Sequence, residues 1–289
     1  MRLTKPLRSV FLVSFFIFFV SACTVKTLYK QLDIVLLAFV EDYIDLTEDQ
    51  MWQVDKQITD LHQWHQYTQL PRYSADLRQL KTYTEQGMTA EQLEGIGTTF
   101  VGHWNALKGQ VVPIAVDTFV SLDKAQIDAL LENMQDKNRD IEKQEQALSD
   151  EERLERGQDN LVKNFERWLG DLSSEQTALL NDRAKQFKAI YQGRLEFRRR
   201  WQQALASILT QTTSLAEKRT QLGVLLSEPR SYQSEAYQAG LKHNLNVIKQ
   251  AILAISPTLT TAQKRHLNER LDELIQAFDE LATEKLAQQ

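Results

Sequence analysis

Few side chains in this sequence have types and spacings suited to chemistry. Cys23 is the sole cysteine, so neither a disulfide nor dithiol redox work is available to it. His62 and His65 stand one helical turn apart with Trp64 between them. That spacing could chelate a metal, but no other Cys or His completes a recognisable ligand set, so no metal is expected. Arg194, Arg198, Arg199 and Arg200 form the densest cationic cluster after the first 22 residues, and Glu41, Asp42 and Asp45 form an acidic run. There is no Gly-x-Ser-x-Gly turn, phosphate loop or His-Glu-x-x-His segment. The expectation is a protein that is not an enzyme.

The position of Cys23 decides where such a protein would live. Arg2, Lys5 and Arg8 make a cationic start without acidic residues, Val10 to Val20 is apolar except for Ser14, and the small residues Ser21 and Ala22 lead to the cysteine. This order is that of an export signal, and the apolar core falls far short of the ~20 residues of a membrane span. Val20-Ser21-Ala22-Cys23 resembles the lipobox of bacterial lipoproteins. The resemblance implies that the Cys23 thiol is diacylated, that residues 1–22 are cut away, and that the new amino group is acylated. Two or more chains, at ~0.8 kcal/mol per buried methylene, tether a protein stably. Thr24, in place of the aspartate that retains many lipoproteins in the inner membrane, implies the periplasmic face of the outer membrane. The covalent lipid is the expected cofactor, with no other.

Removing Arg2, Lys5 and Arg8 from the 34 basic residues leaves 31 against 39 acidic ones, a net charge of −8. An acidic body argues against nucleic acid as a partner. Composition points to helices: 10 Gly and 5 Pro in 289 residues give little of the punctuation that many strands need. Periodicity agrees. Apolar stripes at helical spacing run through Met51, Val54, Ile58, Leu61 and His65; through Leu93, Ile96, Phe100, Trp104, Leu107 and Val111; through Tyr237, Leu241, Leu245, Ile248, Ile252 and Ile255; and through Leu267, Leu271, Leu274, Phe278 and Leu281. The segment from Tyr29 to Tyr43 is apolar on more than one face and is expected to be buried.

Helix starts share a signature. Thr47, Thr89, Asp123, Ser173 and Thr260 each follow an apolar residue and precede a glutamine by three positions, at Gln50, Gln92, Gln126, Gln176 and Gln263. In such a capping box the cap oxygen accepts from the N3 amide while the glutamine accepts from the cap's own N–H. The Leu-Thr-x-x-Gln form is similar to a motif of the small helical periplasmic chaperones Spy and CpxP. The irregular spacing of the copies excludes a fixed-repeat solenoid. A broader resemblance rests on Leu28-Tyr29-Lys30-Gln31-Leu32-Asp33, on Glu41 to Gln50, and on Arg167-Trp168-Leu169-Gly170-Asp171-Leu172 through Gln176. These resemble an uncharacterised family of proteobacterial helical lipoproteins over roughly residues 20 to 210, which implies location and fold and assigns no activity.

Residues 136–160 are charged and poor in large apolar groups, so they read as a solvated, projecting helical connector breaking near Leu148-Ser149. Further breaks are expected at Pro71, Gly87, Pro229 and Pro257. The expected architecture is all-α, a multi-helix bundle in two subbundles: a lipid-anchored part over 23–135, the connector over 136–160, and a C-terminal part over 161–289. Arg194 and Arg198 fall at the edge of an apolar stripe and are expected to pair with Glu41, Asp42 and Asp45, since an unpaired buried charge costs several kcal/mol. The functional reading is a lipid-anchored, noncatalytic envelope protein that binds another protein or an envelope component. Two alternatives stand beside it: a chaperone-like client binder, and an anion- or ligand-binding module using Arg194 and Arg198.

Overall fold

The computed structural model describes residues 22–284, and every regular element among them is helical. All of the leader read over residues 1–22 except Ala22 lies outside the described residues, as does the Cys23 side chain. The helices are α1 (Ala22–Lys30), α2 (Leu32–Glu41), α3 (Glu48–Trp64), α4 (Leu70–Gln86), α5 (Ala90–Ser121), α6 (Lys124–Gln146), α7 (Asp150–Leu169), α8 (Ser174–Ala184), α9 (Tyr191–Thr210), α10 (Leu215–Ser227), α11 (Glu235–Ile255) and α12 (Thr261–Thr283). No described helix is long and apolar enough to cross a membrane.

All five expected capping boxes form, opening α3, α5, α6, α8 and α12. A sixth, Ser149 with Glu152, opens α7. Four of the glutamines also cross-pair. Gln50 and Gln126 exchange amide hydrogen bonds of 3.1 and 2.7 Å, and Gln176 and Gln263 exchange bonds of 3.0 and 2.7 Å. Each Nε2 donates further to a backbone carbonyl two residues before its partner's cap: Gln50 to Ser121, Gln126 to Asp45, Gln176 to Thr258 and Gln263 to Asp171. The same locally two-fold knot is thus tied twice, joining α3 to α6 and α8 to α12. Glutamine is required because a carboxylate could accept from the cap but donate nothing across.

The last helix closes on the first ones. α12 packs along α4 and also touches α1 and α7. Gln66 donates to the carbonyls of Leu281 and Glu284 at 2.5 and 2.7 Å, and Ser74 donates to Asp279 at 2.6 Å. Lys26–Glu280 and Lys30–Glu284 bridge α1 to α12, although exposed pairs of this kind contribute little. Packing therefore crosses between residues 23–135 and 161–289.

Several sequence expectations are corrected. Tyr29 is buried at the start of the Tyr29–Tyr43 segment and Ile44 just beyond its end, but no residue of α2 is buried, and Ile34 is 52% exposed. α2 packs chiefly on α3 and covers it as an outer layer. Phe100 (70%) and Trp104 (54%) stand exposed on α5, as do Leu245 and Ile248 on α11. The buried face of α11 keeps Tyr237 and Ile255 of the expected stripe and adds Gly240, Val247 and Ala251. Two glycines leave room at this seam: a Cβ on Gly193 of α9 would lie 2.8 Å from the Tyr237 side chain, and one on Gly240 of α11 would lie 2.8 Å from that of Ile190. Pro71 causes no break, because a π-turn over His65–Gln69 carries α3 into α4. Such a turn shifts the hydrogen-bond register at the point where proline lacks its donor. Gly87, at φ 96°, does end α4, and 3-10 turns occur at Pro229 and Pro257.

The charged stretch divides as expected between Gln146 and Asp150, but it does not project at its α6 end. Asn138 is buried, and Glu142 and Glu145 face arginines of α9. The reason is complementarity: α6 brings the carboxylates and α9 the guanidinium groups to one seam.

Candidate functional site

An apolar cavity of about 660 Å³ lies between α2, α3, α5, α6 and α9. α2 provides Leu36, Phe39 and Val40; α3 provides Val54, Ile58 and Leu61; α5 provides Ile114, Ala115 and Phe119. Leu130 and Met134 of α6 and Phe197 and Trp201 of α9 complete the apolar wall. The volume falls within the ~300–1,000 Å³ of sites that enclose small molecules, and a mostly apolar lining with few polar groups is the usual pattern. Ile44 and Leu130 of the lining also belong to the main core cluster, with Val116, Leu205 and Leu222.

Arg198 is the only charged side chain of the lining. Its Nε donates to Asn138 Oδ1 at 3.0 Å, and the buried Asn138 donates in turn to Gln202 Oε1, also in the lining. That chain of amides holds the guanidinium plane. Arg198 makes no ion pair among the described residues. Lys137, stacked 4.0 Å over the Tyr43 ring nearby, is neutralised by Asp42 at 2.7 Å.

The expected pairing of Arg194 and Arg198 with the 41–45 run is corrected. Arg194 lies 3.6 Å from Glu145 and lines a separate, smaller cleft, Arg199 pairs with Glu142, and Arg200 with Glu196. Asp42 is taken by Lys137, and Asp45 contributes its backbone carbonyl to Gln126. The α6 carboxylates lie directly opposite α9, so Arg194 and Arg199 find partners there without the earlier run, while Arg198 takes the amide of Asn138.

His62 and His65 belong to a different cluster, where α1 meets α3 and α4. Tyr29 and Tyr73 hydroxyls bond the two ring nitrogens of His65 at 2.9 and 3.3 Å, and Tyr29 packs edge-on against His62. His103 pairs with Asp76 at 2.5 Å. Burial, and secondarily the neighbouring His62, pushes the His65 imidazole down to about 4. Burial also lowers His62, outweighing Asp33 and the Tyr29 backbone, which act the other way. Both nitrogens of His65 are occupied by hydroxyls, and no group of three or more His, Cys, Asp or Glu among the described residues is arranged to hold a metal ion. The cluster docks α1.

A family of unknown function (DUF6279) has a model that matches residues 42–238, more than half of the chain. The chain belongs to this family. No curated protein and no solved structure matches it. The matched span runs from Asp42 to Gln238 in α11, later at both ends than the expected 20 to 210. The DUF6279 region thus holds the α3, α5, α6 and α9 walls of the cavity, while α2, its outer cover, precedes the region.

The cavity itself was not read from the sequence. Its apolar lining residues look like ordinary core, and only contacts among distant segments leave the space between them. One signal pointed to it: α2 carries apolar groups on more faces than one helix partner can bury.

Proposed function

We propose that this DUF6279 protein is a noncatalytic envelope lipoprotein, held by lipid on Cys23 on the periplasmic side of the outer membrane, and that it binds an envelope component in the cavity beneath α2. The observation that carries the binding reading is the 660 Å³ apolar cavity with a single charged group in its wall. Water gains little there, because a stable site for it needs two to four polar partners. An apolar ligand would release that water and cover the inner face of α2.

Nile red, a neutral apolar dye, is expected to bind the purified protein saturably at one-to-one stoichiometry. Ala115→Phe, which puts a phenyl ring into the space, should weaken that binding. No saturable binding would end the cavity reading. A second reading, a chaperone-like client holder, is favoured by the exposed Phe100 and Trp104 on α5, since contiguous exposed apolar groups mark interaction surfaces. Dye binding of undiminished affinity in Ala115→Phe would favour that surface. The tether has its own test: Cys23→Ser is expected to move the protein from the membrane fraction to the soluble one, and undiminished membrane association would refute it.

A further inference from the structure

We propose that the cavity takes a single-chain amphiphile with an anionic headgroup, a fatty-acyl carboxylate or the phosphate of a lysophospholipid, with the acyl chain inside and the headgroup on Arg198. The proposal rests on the cavity being a binding site and adds the chemistry of the occupant.

Three observations converge on this class. The wall is apolar from α2 through α9, which suits a hydrocarbon chain and offers a polar body almost nothing. At ~0.8 kcal/mol per methylene removed from water, an acyl chain gains most where the lining is continuous.

The one charged group of the lining is Arg198, and its charge has no carboxylate within ion-pair distance among the described residues. Its Nε is spent on Asn138, which leaves the outer edge of the guanidinium to present paired N–H groups. That fork matches the two oxygens of a carboxylate or phosphate. The neighbouring charges do not compete: Lys137 is held by Asp42, Arg199 by Glu142, and Arg194 faces Glu145.

The cover is built for a greasy occupant. α2 has apolar side chains on both its inner and outer faces, none of them fully buried, and its N-cap Gln31 makes no side-chain capping bond. An occupant would bury Leu36, Phe39 and Val40, which the protein alone leaves only partly covered.

The test is displacement of Nile red from the purified full chain by oleate, by lysophosphatidylglycerol and by monoolein, each below its critical micelle concentration. Monoolein has the same chain without the charge. Oleate, lysophosphatidylglycerol or both are expected to displace the dye at concentrations at least tenfold below that of monoolein, as one charge-assisted hydrogen-bond pair implies. Whichever anion is the stronger identifies the source as free fatty acid or lysophospholipid. Arg198→Gln should remove the tenfold preference for the anions over monoolein, read as the ratio of displacing concentrations within the variant. Equal displacement by monoolein in the native protein would overturn the proposal and leave a neutral-ligand cavity, and an anion preference that survives Arg198→Gln would overturn it by taking the headgroup away from Arg198. Absence of dye binding in the native protein would instead remove the underlying binding site, and this proposal with it.

Discussion

Gln263→Ala is expected to destabilise the protein by about 2–4 kcal/mol in urea unfolding, while Gln92→Ala costs no more than about 1 kcal/mol. Both glutamines close capping boxes of the same form. Gln92 bonds only within its own box and is not buried. Gln263 is buried, accepts from the Thr260 N–H, donates to Asp171 O and exchanges bonds with Gln176. Each intact hydrogen bond contributes ~0.5–1.5 kcal/mol, and a buried group left unpaired costs ~1–3 kcal/mol. Truncation at position 263 orphans part of Gln176 and one carbonyl, whereas truncation at 92 orphans an N–H that water can reach. Equal losses at the two sites would show that the cross-pairing adds nothing.

Acidification is expected to weaken the fold between about pH 6.5 and pH 4, on the order of 3 kcal/mol from His65. Burial holds this imidazole neutral down to about 4, whereas the unfolded chain protonates it near 6.5. Above 6.5 the residue is neutral in both states and contributes no pH dependence. Below that, the unfolded state takes up a proton that the folded state refuses, so stability drains away until the folded group titrates as well. His62 shifts in the same direction. Unfolding free energies measured across this range should show a slope that flattens in His65→Gln. An unchanged slope would place the acid sensitivity elsewhere. The weakened contact is the docking of Tyr29, and with it α1, on α3 and α4.

Local chemistry was legible in the sequence and long-range pairing was not. The helix starts at Thr47, Thr89, Asp123, Ser173 and Thr260 were readable because cap and glutamine lie three residues apart, within reach of any chain that turns helical. That Gln50 meets Gln126 and Gln176 meets Gln263 depends on segments 76 and 87 residues apart, and nothing local marks which copies pair. Of the large residues in the α11 stripe, Tyr237 and Ile255 are buried, yet Gly240 and Ala251 also face the neighbours while Leu245 points to solvent. Close helix approach selects small groups, and a pattern of large apolar residues cannot show that. Proximity in space, not the net charge of a run, selects Glu145 for Arg194 and Glu142 for Arg199 over Asp42 and Asp45, and Arg198 takes Asn138 in place of any carboxylate. The family and all-helical architecture were both expected from the sequence, and both are found.

The packing of α12 along α4 and α1 has a consequence for biogenesis. A ribosome delivers the chain from its N-terminus, so the surfaces that α12 covers stay wet until the last stretch emerges. Loop closure over such a separation costs entropy that grows only slowly with length, but its reward comes entirely at the end. A truncated or prematurely halted product would carry an unsealed seam at Leu70 and Tyr73, the very residues that Leu281 and Phe278 finally cap.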